Sequence, residues 1–454
     1  MTSWFAHSDL DRRSQRQPGA VRPVVAALLA LSLFSGAVLA AGPGDRFTII
    51  RAKKAITVSG DEVDNAVVVI SNGKIENIGP SLDFPANSRV IDARDRVIMP
   101  GLVNAATRFN LPRFSRREVH ANWLAKDEFL PHAQDLLPFA RAGVTTGAIY
   151  PSSGGGGVPG RALIVSPASS KAGEPRILRD KSYLYVTAEK REWREALEKA
   201  KKEIEKVDKA KAAFDEQQKK AAPASAPASA PAAPGNASAP AGAPASAPVT
   251  QPAASQPAFQ PPPIAPELQP LVDLLQKKAD FKIVIEVENA TEVLGFEQVN
   301  EKYELKAAYV ARFFVQTDLF QAVKTLGDAK RQIAIPVRLN IMPETENRYS
   351  LAAELSKAGA EVSILPVSDD EASFADLWDD LRTQVANGWP KEDALKSVTL
   401  NPAKLLGLDE QLGTMQKERA ADILFLDADP FAPGARVREV MIGGEMVIPR
   451  KRGH

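Results

Sequence analysis

The sequence predicts an α/β protein: a parallel sheet, open or closed, beside a small β module built from both ends of the chain. Two patterns carry this. Short apolar runs alternate with helix-like stretches through the middle, the mark of repeated βα units. Near each end, β-branched residues cluster in alternating runs separated by turn residues. The length of 454 residues, with 44% hydrophobic and 25% charged, supplies a large core.

From the N-terminus, Arg12, Arg13, Arg16 and Arg22 precede an apolar run from Val24 to Ala40, with compact residues at Val38 and Ala40. This is the layout of a cleaved export signal over residues 1–40, which predicts an exported, periplasmic or cell-envelope protein. The run is near the lower limit of about 17 residues for a membrane span, so an uncleaved segment is the one predicted route to a membrane.

Phe47–Val58 and Val67–Ile78 read as strands, the second broken by Ser71-Asn72-Gly73-Lys74, a hairpin cue. Ala421–Asp427, Val437–Val440 and Val447 after Gly443-Gly444 mirror this at the other end. Residues 44–98 and 408–450 are therefore expected to form a β-sandwich around a central unit at 99–407.

In that unit Val144–Tyr150, Tyr183–Val186, Phe281–Val287, Ala311–Val315, Ile333–Leu339 and Glu361–Val367 read as strands. Leu268–Lys278, Leu319–Leu326, Tyr349–Lys357 and Phe374–Asn387 read as helices. Residues 188–264 form an insertion: a charged helix with Glu195–Lys199, Glu198–Lys202 and Glu205–Lys209 at i,i+4 spacing, then a Pro/Ala/Ser tract. Residues 221–270 hold 14 of 35 prolines, which favours an extended spacer over a packed element.

The segment "VIMPGLVNAATRFN" (97–110) resembles the first barrel strand of the amidohydrolase superfamily, especially its imidazolonepropionase-like branch. "ADILFLDADPF…VREVMIGGEMV" and "LKSVTLNPAKLLGLDEQLGTMQKERAADILFLDADPF" are similar to that family's closing segments. The resemblance runs from Phe47 to about Val447 and implies a (β/α)8 TIM-like barrel carrying the terminal sandwich. It also implies a centre of one or two divalent ions, usually zinc, held by His and Asp at the strand ends. Such an ion lowers the pKa of a bound water to about 7 and polarises the substrate carbonyl.

The chain departs from the family at each histidine. In the phrase PGL-hydrophobic-D-x-H-x-H, Asn104, Ala106 and Arg108 stand for Asp, His and His. Alanine cannot ligate, and an arginine keeps its charge where a cation would sit. "FKIVIEVENATEVL" puts Glu286 and Glu288 at the next two His positions, and Val315 and Gln316 fall where a further His is expected. The two glutamates read as an acid/base or ligand pair, or as a charged lining that balances Arg108. Asp369, with Asp370 as the second match, aligns with the family's closing aspartate; a helix N-cap at Ser368 or Asp369 is the other reading.

Only His7, His120, His132 and His454 are present, and there are no cysteines, which excludes thiolate sites and Cys nucleophiles. The net charge of +1 gives no reason to expect nucleic acid as a partner. Ser152–Arg161, "SSGGGGVPGR", lacks the Gly-Lys-Ser/Thr ending of a P-loop and reads as a loop over the strand ends.

The sequence therefore predicts an exported amidohydrolase-like protein that is not a metal hydrolase. It would bind a small molecule or pair with an active relative, with no cofactor and with possible self-association. The alternative is an active hydrolase of non-peptide C–N bonds (cyclic amides, dipeptide-like substrates) with a rebuilt site holding zinc or another divalent ion.

Overall fold

The structure, a computed structural model, describes residues 47–109, 119–130, 133–151, 157–167, 175–221, 258–313 and 315–449. The expected export signal, Arg113 to Arg117, His7, His132, His454 and most of the Pro/Ala/Ser tract lie outside them. No helix among the described residues is long and apolar enough to cross a membrane.

The N-terminal part gives β1 (Phe47–Ala55), β2 (Val63–Asp64), β3 (Val67–Ser71), β4 (Lys74–Gly79) and β5 (Arg89–Pro100). The middle gives β6 (Leu102–Thr107), β7 (Val144–Ile149), β8 (Gly160–Arg161), β9 (Leu163–Ser166), β10 (Arg176–Arg179) and β11 (Leu184–Val186). It continues with β12 (Ile283–Val287), β13 (Ala307–Ala311), β14 (Gln332–Pro336), β15 (Asn340–Ile341), β16 (Arg348–Tyr349) and β17 (Glu361–Leu365). The C-terminal part adds β18 (Ile423–Leu426), β19 (Val437–Ile442) and β20 (Glu445–Ile448).

Both ends of the chain meet in one mixed sheet, in the order β20-β19-β18-β5-β1-β3-β4, with β2 beside β1. The expected sandwich is thus a single composite sheet among the described residues. Its axis is β5, parallel to β1 and antiparallel to β18. Asn72 and Gly73 both take positive φ, as the two-residue turn between β3 and β4 requires. The β19–β20 turn at Gly443 and Gly444 does the same, and the two turns abut. A Cβ on Gly73 would lie 2.7 Å from the Gly443 carbonyl oxygen, so this contact requires glycine.

The middle strands form two sheets, β10-β9-β7-β6 and β17-β14-β13-β12-β11-β8. Strands β11, β12, β13, β14 and β17 run parallel, as do β6 and β7. Among the described residues a closed (β/α)8 ring is not observed, for two physical reasons. The segment 160–166 runs antiparallel to its neighbours β7 and β11, and β6 approaches β17 without a hydrogen-bond ladder.

Side-chain alternation divides the strands into two faces. Val284, Ala308, Val310, Ala334 and Leu365 pack with Tyr183 and Tyr185 in an inner cluster. Ile283, Ile285, Tyr309, Ile333 and Ile364 pack outward with Trp193, Phe296 and Phe374 of the helices. The strand expected at Ala311–Val315 instead occupies Ala307–Ala311, where the chain is buried throughout. The helix Lys190–Ala221 buries Trp193, Ala196, Leu197 and Ala200 near its start. Beyond Lys201 none of its described side chains is fully buried, in keeping with the expected charged, solvated face.

Asp422 joins the composite sheet to the middle unit. Its carbonyl accepts from Gly101 N at 2.9 Å, and its buried carboxylate accepts from Gly443 N at 2.7 Å. Burial pushes this carboxyl up to about 6. The folded state therefore favours the protonated form, and this contribution is full below the unfolded value and lost as pH rises through 6. Asp422→Asn is expected to flatten the pH dependence between 4 and 6 and to add about 1–3 kcal/mol at pH 8, read from urea unfolding curves. A variant less stable than the parent at pH 8 would contradict this.

Candidate functional site at the strand ends

The polar groups gather where β6, β7, β12, β13 and β17 end. In β6 the ladder to β7 is irregular between Asn104 and Thr107. Asn104 Oδ1 accepts from Ala106 N at 3.1 Å, a local bond that competes with regular pairing. Ala105 and Ala106 both join the inner cluster as a result. The strict two-residue period expected for positions 104, 106 and 108 therefore does not hold here.

Thr107 and Arg108 then meet the end of β17. Thr107 Oγ1 donates to Asp369 Oδ1 at 2.7 Å, and Arg108 N donates to Asp369 Oδ2 at 3.2 Å. Asp370, not Ser368 or Asp369, is the N-cap: it accepts from Ser373 N at the start of the helix Glu371–Ala386. The adjacent aspartates thus divide the two roles that the sequence left open.

Arg108 is 6% exposed, and its guanidinium donates to the Tyr150 carbonyl at 2.6 Å. Among the described residues its ion pair is with Glu128 at 3.5 Å. The expected balance of Arg108 by Glu286 and Glu288 is not what forms. Glu286 lies instead 3.6 Å from Arg312 Nε and accepts from the Tyr185 hydroxyl. Arg312 Nη2 donates to the Tyr150 hydroxyl at 2.9 Å, and the Tyr150 and Tyr185 rings stack at 4.3 Å. Tyr150 lies between the two guanidinium groups, which stand 5.7 Å (Arg108) and 5.6 Å (Arg312) from its ring centre. Burial pushes the Tyr150 hydroxyl up to about 12, so it keeps its proton at neutral pH.

Three expected members stand apart. Glu288 is exposed and falls beyond β12, because Asn289 caps the helix Ala290–Lys302 and Glu292 reaches back to Glu288 N. Val315, 41% exposed, and Gln316, also exposed, follow the end of β13, where they pair with Ile341 of β15. His120 stacks on Trp123 at 3.6 Å in the segment whose Leu124 bridges in parallel to Arg161 of β8. Sequence reasoning missed Arg312, Tyr150, Tyr185, Glu128 and Thr107. Arg312 had a usable signal, since it continues the inward alternation of Ala308 and Val310 at the end of the buried run.

These residues do not fit a divalent ion. Ala106 offers no donor atom, Arg108 keeps a buried charge beside the position, and Glu286 and Asp369 are already committed to protein partners.

The amidohydrolase family model matches residues 324–447, from the helix Val323–Asp328 to β20. The crystal structure of an amidohydrolase from Thermotoga maritima MSB8 is 18% identical, with 89% of this chain and 100% of that one covered at a TM-score of 0.63. An uncharacterized protein of known structure is 15% identical over 89% of this chain and 100% of its own, at 0.50. A Xaa-Pro dipeptidase with bound methionine is 13% identical over the same shares, at 0.45. No curated protein gives a sequence match. At 18% and 15% identity, the likeness to the first two of these structures establishes a shared fold. A segment that matches the amidohydrolase family model thus lies within an α/β fold shared with those two structures.

If Asp369 ties β17 to β6, Thr107→Val should cost about 1.5–3 kcal/mol in urea unfolding, the scale of a hydrogen bond to a charged group. Thr107→Val and Asp369→Asn together should cost less than their sum, by about 1 kcal/mol. Strictly additive losses would show that the two side chains do not act together.

Proposed function

We propose that this is an exported amidohydrolase-fold protein that binds a small molecule, or partners an active relative, without metal hydrolysis. The observation that carries it is Arg108, a buried guanidinium fixed by Tyr150 and Glu128 at the position that resembles a metal-binding histidine. A permanent cation there raises the cost of a divalent ion and removes a ligand in one substitution. The basic residues before the apolar run Val24–Ala40 support export. The strand motif at residues 97–103 supports placement beside the imidazolonepropionase-like branch, from which the centre departs at Ala106 and Arg108.

Elemental analysis of the purified full-length protein tests the reading. Zinc, manganese, nickel and iron should stay well below one equivalent after exposure to excess metal, and Asp369→Asn should leave that content unchanged. One or two equivalents of zinc, lost with Asp369→Asn or Glu286→Gln, would instead establish a rebuilt hydrolase of C–N bonds.

A further inference from the structure

Two adjoining cavities lie where the composite sheet meets the helices. The first, about 630 Å³, is walled by β19, the end of β20 and Arg141 in the last turn of the helix Ala133–Ala142. The second, about 290 Å³, lies between that helix and the helix Glu371–Ala386. Arg141 and Val437 belong to both walls. Glu439 of β19 lines the first cavity and is 5% exposed, yet its carboxylate accepts no hydrogen bond among the described residues. Arg96 Nε stands 3.4 Å from it, out of line for such a bond. Arg438 is already held by Asp427 at 2.6 Å, whereas the exposed Arg141 has no hydrogen bond or ion pair of its side chain among the described residues. In the wall of the second cavity, the buried Trp378 Nε1 likewise has no acceptor. A buried carboxylate without a donor is costly, and a ligand that supplies one relieves that cost.

We propose that these cavities form a binding site for a neutral polyhydroxylated ligand, of the saccharide class, whose hydroxyl groups donate to Glu439 and accept from Arg141. One wall presents an unpaired acceptor and an unpaired donor. A hydroxyl is the group that serves both, since its oxygen donates one proton and keeps two lone pairs. An incoming carboxylate would satisfy Arg141 and be repelled by Glu439, and an ammonium would do the reverse. The first cavity falls within the range of about 300–1,000 Å³ usual for small-molecule sites. Val437, Ile448 and Pro449 give it an apolar side against which the C–H face of a sugar ring can pack. Pro449 also has no N–H to offer, so the edge of β20 is interrupted at the cavity, which disfavours an added peptide strand as its occupant. The site shares no residue with the group at the strand ends.

The full-length protein is titrated with maltose, glucuronate, putrescine and blocked trialanine, with binding followed by saturation-transfer NMR from protein to ligand protons. Saturable binding of maltose is expected, with glucuronate and putrescine several-fold weaker. Arg141→Ala, at an exposed position, should weaken maltose about tenfold, the scale of one hydrogen bond to a charged group. Glu439→Gln should also weaken it, with circular dichroism confirming that the variant is folded; should it unfold, Arg141→Ala alone decides. No saturable binding of maltose, tighter binding of either charged probe, or unchanged affinity in Arg141→Ala would each overturn the saccharide site. Blocked trialanine bound in preference to maltose would overturn it in favour of a peptide partner. Metal content is read separately, so loss of this site leaves the proposed function in place.

Discussion

The carboxylate of Asp369 holds together the part of the fold that has no ladder. Strands β6 and β17 lie side by side at the edges of two different sheets, and no backbone bonds join them. At their C-terminal ends Asp369 takes the Thr107 hydroxyl and the Arg108 amide. On the other side of the seam the helix Leu400–Leu406 packs against both strands, and Asn401 Nδ2 donates to Val362 O at 2.8 Å. Polar side chains thus perform at this seam what main-chain pairing performs elsewhere. The seam fixes where Arg108 emerges, and through Arg108 it fixes Tyr150.

A charge network follows from that placement. Two buried or half-buried guanidiniums, Arg108 and Arg312, lie near the strand ends where the resemblance would put a metal. Each is offset by its own carboxylate, Glu128 and Glu286. Permanent cations of this kind need compensation at all pH values. The carboxylates therefore act as counter-charges to the two guanidiniums. The stacked tyrosines between them carry high hydroxyl pKa values because they are buried, and so remain donors.

Much of the architecture was legible in the sequence because it depends on local chemistry. Asn72-Gly73 and Gly443-Gly444 specify their turns through backbone freedom, and the buried runs at 144–149, 283–287 and 361–365 specify strands. The seam was not legible, since a missing ladder between β6 and β17 leaves no mark on either strand alone. The register of β13 was missed because an apolar run continues past Ala311, and that slip carried Val315 and Gln316 into a site they do not join. Of the candidate residues, Arg108, Glu286 and Asp369 come to the same strand ends, while Glu288 lies beyond its strand because a helix cap intervenes. Their partners were hidden, because Glu128, Tyr150 and Arg312 are brought in by tertiary contacts that no spacing encodes.

The central claim is that protein cations, with their counter-carboxylates, stand where the resemblance would place a metal centre. Anomalous diffraction at the zinc edge, from crystals of the protein grown with zinc, tests it most directly. Ordered guanidinium density for Arg108 and Arg312 is expected, with no anomalous peak within bonding distance of Asp369 or Glu286. A zinc peak bound by either carboxylate, with Arg108 swung away from Tyr150, would contradict it.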